Sequence, residues 1–173
     1  MESINRQIYN SHRLSVINNE IARWDLNMRR GMQQWRNHDK YGFIELNLYE
    51  LESYKKEVNK EFSSNYTSNI DWKVDEILFP KELYILHIEE LKIYADFITS
   101  YISAIKGQHL SFVFEITFAG FHPIDSHRVH TYGKALIEAI ISCFDEQSYT
   151  LGKLHKEKYL SLESIKYAMK VFK

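Results

Sequence analysis

Apolar side chains recur at three- and four-residue spacing along residues 82–105. Leu83, Leu86, Leu91, Tyr94, Phe97, Ile98, Tyr101 and Ile105 form one stripe, and Ile85, Ile88, Ile93 and Ile102 widen it. The polar remainder is narrow: Glu82, Glu89, Lys92, Asp96 and Ser103. This pattern predicts one long helix. Pro80 stands just before it, where a proline costs no internal hydrogen bond, and Gly107 follows it, free to take the left-handed conformation that closes many helices. A helix apolar over most of its circumference must be covered on several sides, so it is expected at the centre of the fold.

The flanking segments carry related patterns. Over residues 11–37, Leu14, Ile17, Ile21, Trp24, Met28 and Trp35 make a heptad-like seam opposite Arg13, Glu20, Arg23, Arg29, Arg30 and Arg36. This predicts a long amphipathic helix whose seam is core, or alternatively a docking seam for a second copy. Ile44, Leu48, Leu51, Val58 and Phe62 predict a second helix over 42–62, although its opening run 43–48 also alternates like a strand. Residues 63–69 read as a polar linker, and 71–79 as a single helical turn. Leu110, Phe112, Phe114, Ile116 and Phe118 alternate strictly with Ser111, Val113, Glu115 and Thr117, which favours a strand. Yet Leu110, Phe114, Thr117, Phe118 and Phe121 also share a helical face. No other segment alternates as clearly, and a lone strand leaves its backbone unpaired, so the reading leans to a buried helix. If 110–118 is a strand, its partner is 43–48 or another copy of the chain.

A further helix is expected from Asp125 or Ser126 to Glu146, with Val129, Leu136, Ala139, Ile140, Cys143 and Phe144 inward. Residues 147–158 read as loop, and a last helix begins at Ser161. The expected fold is therefore mainly α: a single domain over 1–173, with five to seven helices around the buried segment 82–105. The alternative is an α+β fold with a small sheet that includes 110–118.

Composition narrows the function classes. Six glycines and two prolines argue against a turn-rich all-β protein. A formal net charge of −1 supplies no general attraction for nucleic acid or an acidic membrane. The single cysteine, Cys143, excludes an intrachain disulfide. The chain opens without the apolar core of a secretion signal, and no uninterrupted apolar run is long enough to span a bilayer, so a cytoplasmic setting is expected.

The densest group of reactive side chains is His122, Asp125, His127 and His130, in a turn that leads into a helix. Imidazoles three apart on one helix face, with a nearby carboxylate, could hold a metal or act as general base. The His-Glu-x-x-His and paired-cysteine zinc signatures are absent, and the glycines form no phosphate loop, so neither metal nor cofactor is expected. His109-Leu-Ser111 supplies only one of the two His-x-Ser elements that a two-histidine phosphoesterase needs. Weight therefore falls on binding rather than catalysis. Asp75, Glu76 and Glu89, together with Tyr41, Tyr49, Tyr54, Arg29 and Arg30, are the candidate partner-binding residues, because tyrosine and arginine are the usual anchors of protein interfaces. The leading expectation is a cytoplasmic protein-binding module, an inhibitor of the immunity or antitoxin type acting on a toxin or nuclease. The alternative is a histidine-dependent hydrolase or nuclease centred on the 122–130 turn.

Overall fold

The computed structural model describes residues 10–37, 40–58, 68–121 and 130–161. Within them the chain forms five helices and a four-stranded mixed sheet. The fold is α+β, which overturns the mainly α expectation and agrees with its alternative. The elements are α1 (Asn18–Arg23, entered through a 3-10 turn at Ser15–Ile17), β1 (Arg29–Asn37), β2 (Lys40–Glu50), α2 (Leu51–Val58), β3 (Ser68–Trp72), α3 (Lys81–Lys106), β4 (Phe112–Phe121), α4 (Thr131–Phe144) and α5 (Glu146–Leu160). The strand order is β1-β2-β4-β3. β1 with β2 and β2 with β4 are antiparallel, while β3 runs parallel to β4 and α3 is the crossover between them.

Three of the expected helices are strands in whole or in part: 29–37, 40–50, and 110–118, where the lean to a buried helix is overturned by β4. The first helix stops at Arg23, and Leu26 turns the chain through a left-handed φ of 67° before β1 begins. Met32, Gln33 and Gln34 favour helix by themselves, but pairing with Glu45, Ile44 and Phe43 satisfies their backbone in a ladder instead. Residues 40–50 likewise form β2. This supplies the partner that 110–118 needed: Phe43 pairs with Gly120, Leu46 with Ile116 and Leu48 with Phe114. Residues 68–72, read as linker and turn, form β3. Residues 147–158, read as loop, belong to α5, whose start is capped by the Asp145 carboxylate accepting from the Gln147 and Ser148 amides. The final helix expected from Ser161 lies outside the described residues.

Ile44, Leu46 and Leu48 of β2 and Phe112, Phe114 and Ile116 of β4 face one side of the sheet. There they meet Leu91, Tyr94, Ile98 and Ile102 of α3 and Leu136, Ala139 and Ile140 of α4, in the main core. α1 closes one end. Trp24 stacks on Phe112 with ring centres 5.7 Å apart and meets Phe144 edge-on at 5.2 Å. Tyr101 of α3 donates to Asn18 at 2.6 Å. Cys143 is buried, and burial pushes its thiol pKa well up, so it is an inert core side chain.

α3 matches its expected span and ends at Gly107 with φ 65°. Its surroundings differ from the expectation. Leu83, His87, Leu91, Tyr94, Ala95, Ile98, Thr99 and Ile102 are buried, but Ile85, Leu86 and Ile93 are 61%, 60% and 56% exposed. The helix is central in sequence and half uncovered in space.

Candidate functional site

The sheet face opposite the main core carries a belt of charge. Glu45 of β2 is only 3% exposed. Its carboxylate accepts from Arg30 at 3.0 Å, from Thr117 at 3.0 Å and from Lys156 of α5 at 3.2 and 3.3 Å. Thr117 reaches it because a register shift beside Glu45 leaves Thr117 unpaired between Ile116 and Phe118. Glu115 accepts from Asn47 and Lys73, each at 2.9 Å, and Tyr54 donates to Asp71 at 2.6 Å. Three cations (Arg30, Lys73, Lys156) meet three carboxylates (Glu45, Asp71, Glu115), so the belt is internally neutralised and ties four strands and two helices together.

Burial alone would raise the Glu45 pKa. The hydrogen bonds from Arg30, Lys156 and Thr117 outweigh it and hold the carboxyl below its ordinary 4.5. A depressed folded-state pKa contributes stability that is complete above the unfolded value and is lost as pH falls through the folded one. Urea unfolding midpoints of wild type should therefore decline as pH drops below about 4.5, with a shallower decline in Glu45→Gln. Identical pH slopes for the two proteins would remove Glu45 from the account.

A second polar cluster lies inside the fold between α3 and the start of α4. His87 Nδ1 stands 3.7 Å from Glu90 Oε2, and His130 Nδ1 stands 3.6 Å from Glu90 Oε1. The Tyr132 ring lies 4.6 Å from His87 and the Tyr94 ring 6.1 Å from His130. Both Glu90 oxygens, His87 Nε2 and Thr131 Oγ1 are buried with no hydrogen-bond partner among the described residues. His130 is the N-cap residue of α4 and holds a left-handed φ of 71°, uncommon outside glycine. A carboxylate at that end of a helix is favoured by the helix dipole, which gives Glu90 a structural reason to sit there. Of the histidine-turn candidates only His130 is described; His122, Asp125 and His127 lie outside the described residues. Among the described residues no group of three His, Cys, Asp or Glu side chains is arranged to hold a metal ion.

The expected partner-binding residues divide into three places. Asp75, Glu76 and Glu89 are exposed, the first two in the turn that leads into α3 and the third on its open side. Tyr49 and Tyr54 are buried against each other, ring centres 5.2 Å apart, and offer nothing to a partner. Tyr41 is half-buried, stacked on Tyr159 at 5.8 Å. Arg29 and Arg30 are exposed; Arg29 lies over the Phe144 ring at 5.3 Å, and Arg30 donates to Glu45 at 3.0 Å. The arginines are on β1, one edge strand of the sheet; Asp75 and Glu76 follow β3, the other edge strand, and Glu89 is on α3.

Glu89 is the one expected partner-binding residue on the exposed side of α3; the aliphatics beside it, Ile85, Leu86 and Ile93, were expected in the core. Lys81, Glu82, Ile85, Leu86, Glu89, Lys92, Ile93 and Asp96 all face solvent. The signal was the excess of apolar positions over what one buried stripe needs.

A shallow groove of about 470 Å³ runs between β1 and α5, lined by Gln33, Trp35, Arg36, Glu138, Ser148 and His155. Gln33 donates to the Ser148 carbonyl at 2.9 Å and its amide oxygen lies 2.9 Å from His155 Nδ1, so these polar groups already hold one another.

The chain matches no protein-family model and no curated protein sequence. Among the described residues no helix is long and apolar enough to cross a membrane.

Proposed function

We propose that this chain is a non-catalytic, cytoplasmic protein-binding module, an inhibitor-type protein that neutralises a toxin or nuclease by covering its surface through α3. The observation that supports this reading is the exposure of Ile85, Leu86 and Ile93 on one helix whose other side builds the core. Exposed aliphatics gathered on a rigid element, rather than scattered, mark interaction surfaces. A site on a packed helix is also pre-organised, so little ordering cost is met on binding. The test is capture from host extract by tagged wild type and by a Leu86→Asp/Ile93→Asp variant of unchanged circular dichroism. One stoichiometric partner retained by wild type and lost by the variant is expected; the same proteins on both would refute the reading.

A second reading rests on the His87–Glu90–His130 cluster. A carboxylate flanked by two imidazoles is an arrangement that hydrolases use to orient a general base. Hydrolysis of a phosphodiester or ester by wild type, lost in His130→Ala, would favour it over the binding module.

A further inference from the structure

We infer that the open side of α3 is built for a cationic amphipathic helix of a partner protein. This deepens the binding reading above and rests on it. Glu82, Glu89 and Asp96 stand seven residues apart and are all exposed. With about 1.5 Å of rise per residue, they fall roughly 10.5 Å apart in one column along the helix. Leu86 and Ile93, also seven apart, run along one flank of that column, and Ile85 lies on the other. Asp75 and Glu76 extend the acidic surface beyond the start of the helix. The opposing charge on the same side is Lys81 and Lys92, and Lys92 lies 3.7 Å from Glu89. Asp96 also accepts from the Ser68 hydroxyl of β3, which anchors the far end of the column to the sheet.

Charge decides between the occupants. A second copy meeting this face through a two-fold axis would set an acidic column against itself, which costs energy at helix spacing. A polyanion, whether nucleic acid or an acidic lipid surface, is repelled for the same reason. A helix with Lys or Arg every seventh residue between aliphatic positions satisfies both parts of the face: its cations meet the column, and its aliphatics cover Leu86, Ile93 and Ile85. The order of the face, acids in line with aliphatics alongside, is the order in which heptad pairs set partner choice by charge.

The experiment uses the full chain and two synthetic helices of about three heptads, identical except that one carries Lys and the other Glu at every seventh position. Binding is measured by fluorescence anisotropy at low and moderate salt. The Lys helix should bind at least about tenfold more tightly than the Glu helix, weaken with salt, and lose about tenfold in Glu82→Lys/Glu89→Lys. Equal affinity for both helices, no effect of the charge reversal, or no binding of the Lys helix would each overturn the inference. Equal binding that disappears in Leu86→Asp/Ile93→Asp would remove the charge selection alone and leave α3 as the docking face.

Discussion

Gly152→Ala is expected to lower the melting temperature by about 6–12 °C, the equivalent of roughly 3 kcal/mol in a chain of this size. A Cβ at this position would stand 1.9 Å from the carbonyl oxygen of Met32 and 2.8 Å from its carbonyl carbon. Both are backbone atoms of β1, held in register by the ladder with β2. A flexible side chain could swing aside; a paired strand cannot, so α5 must lift. That helix covers the outer edge of β1, which would otherwise present unpaired backbone to other chains. It also delivers Lys156 to Glu45 and Tyr159 to Tyr41. Lifting it therefore breaks an edge, an ion pair and a stacked pair together. Gly107→Ala is the control. It too replaces a glycine, but nothing lies within 4 Å, and its φ of +65° costs an L side chain only about 1 kcal/mol. If thermal unfolding ranks the two variants the other way, α5 is not seated on β1 as described.

Two aspartates placed two residues apart on α3 should behave in opposite ways. Leu91 is 1% exposed and belongs to the main core. Leu91→Asp puts a charge into that apolar cluster. It is expected to cost more than about 4 kcal/mol and to leave little folded protein at neutral pH. Ile93 is 56% exposed. Ile93→Asp should change stability by no more than about 0.5 kcal/mol, as surface substitutions usually do. Denaturant titration of both variants reads the difference directly. An Ile93→Asp protein as unstable as Leu91→Asp would mean that this side of α3 is covered, and the docking proposal would go with it. A stable, soluble Ile93→Asp instead leaves Ile93 with no task in the fold of the described chain.

The helices that pack on one side of the sheet were legible because their apolar residues follow one helical period. Leu136, Ala139, Ile140, Cys143 and Phe144 face the core as their spacing requires. β1 was not legible, and β2 only in part. Ile44, Leu46 and Leu48 alternate with Glu45 and Asn47 as a strand does, but Ile44, Leu48 and Leu51 also continue into the helical spacing of Val58 and Phe62, and burial on both faces leaves β2 without a polar outer face to decide between them. β1 is rich in helix formers, and only the ladder with β2 and the cover of α5 make it a strand. Tyr49 and Tyr54 lie in or near polar stretches of the sequence, which predicts partial exposure. The sheet brings them together instead, and the Tyr54 hydroxyl is satisfied by Asp71. His87 and Glu90 gave no local sign: they are two polar residues inside an apolar helix, and their meaning depends on His130, forty residues later, arriving beside them.

From its own order of residues the chain determined α3, its proline start and glycine stop, the inward face of α4 and the near-neutral total charge. Those depend on spacing and local propensity, which a single segment contains. Tertiary structure alone decided which segments became strands, which tyrosines were hidden, that six charged side chains would cancel on one sheet face, and that one side of α3 would stay open with its acids in line. Strand pairing and burial are joint properties of segments far apart in the chain. No single segment carries them, because the free energy that selects a strand or covers a side chain belongs to its partner as much as to itself.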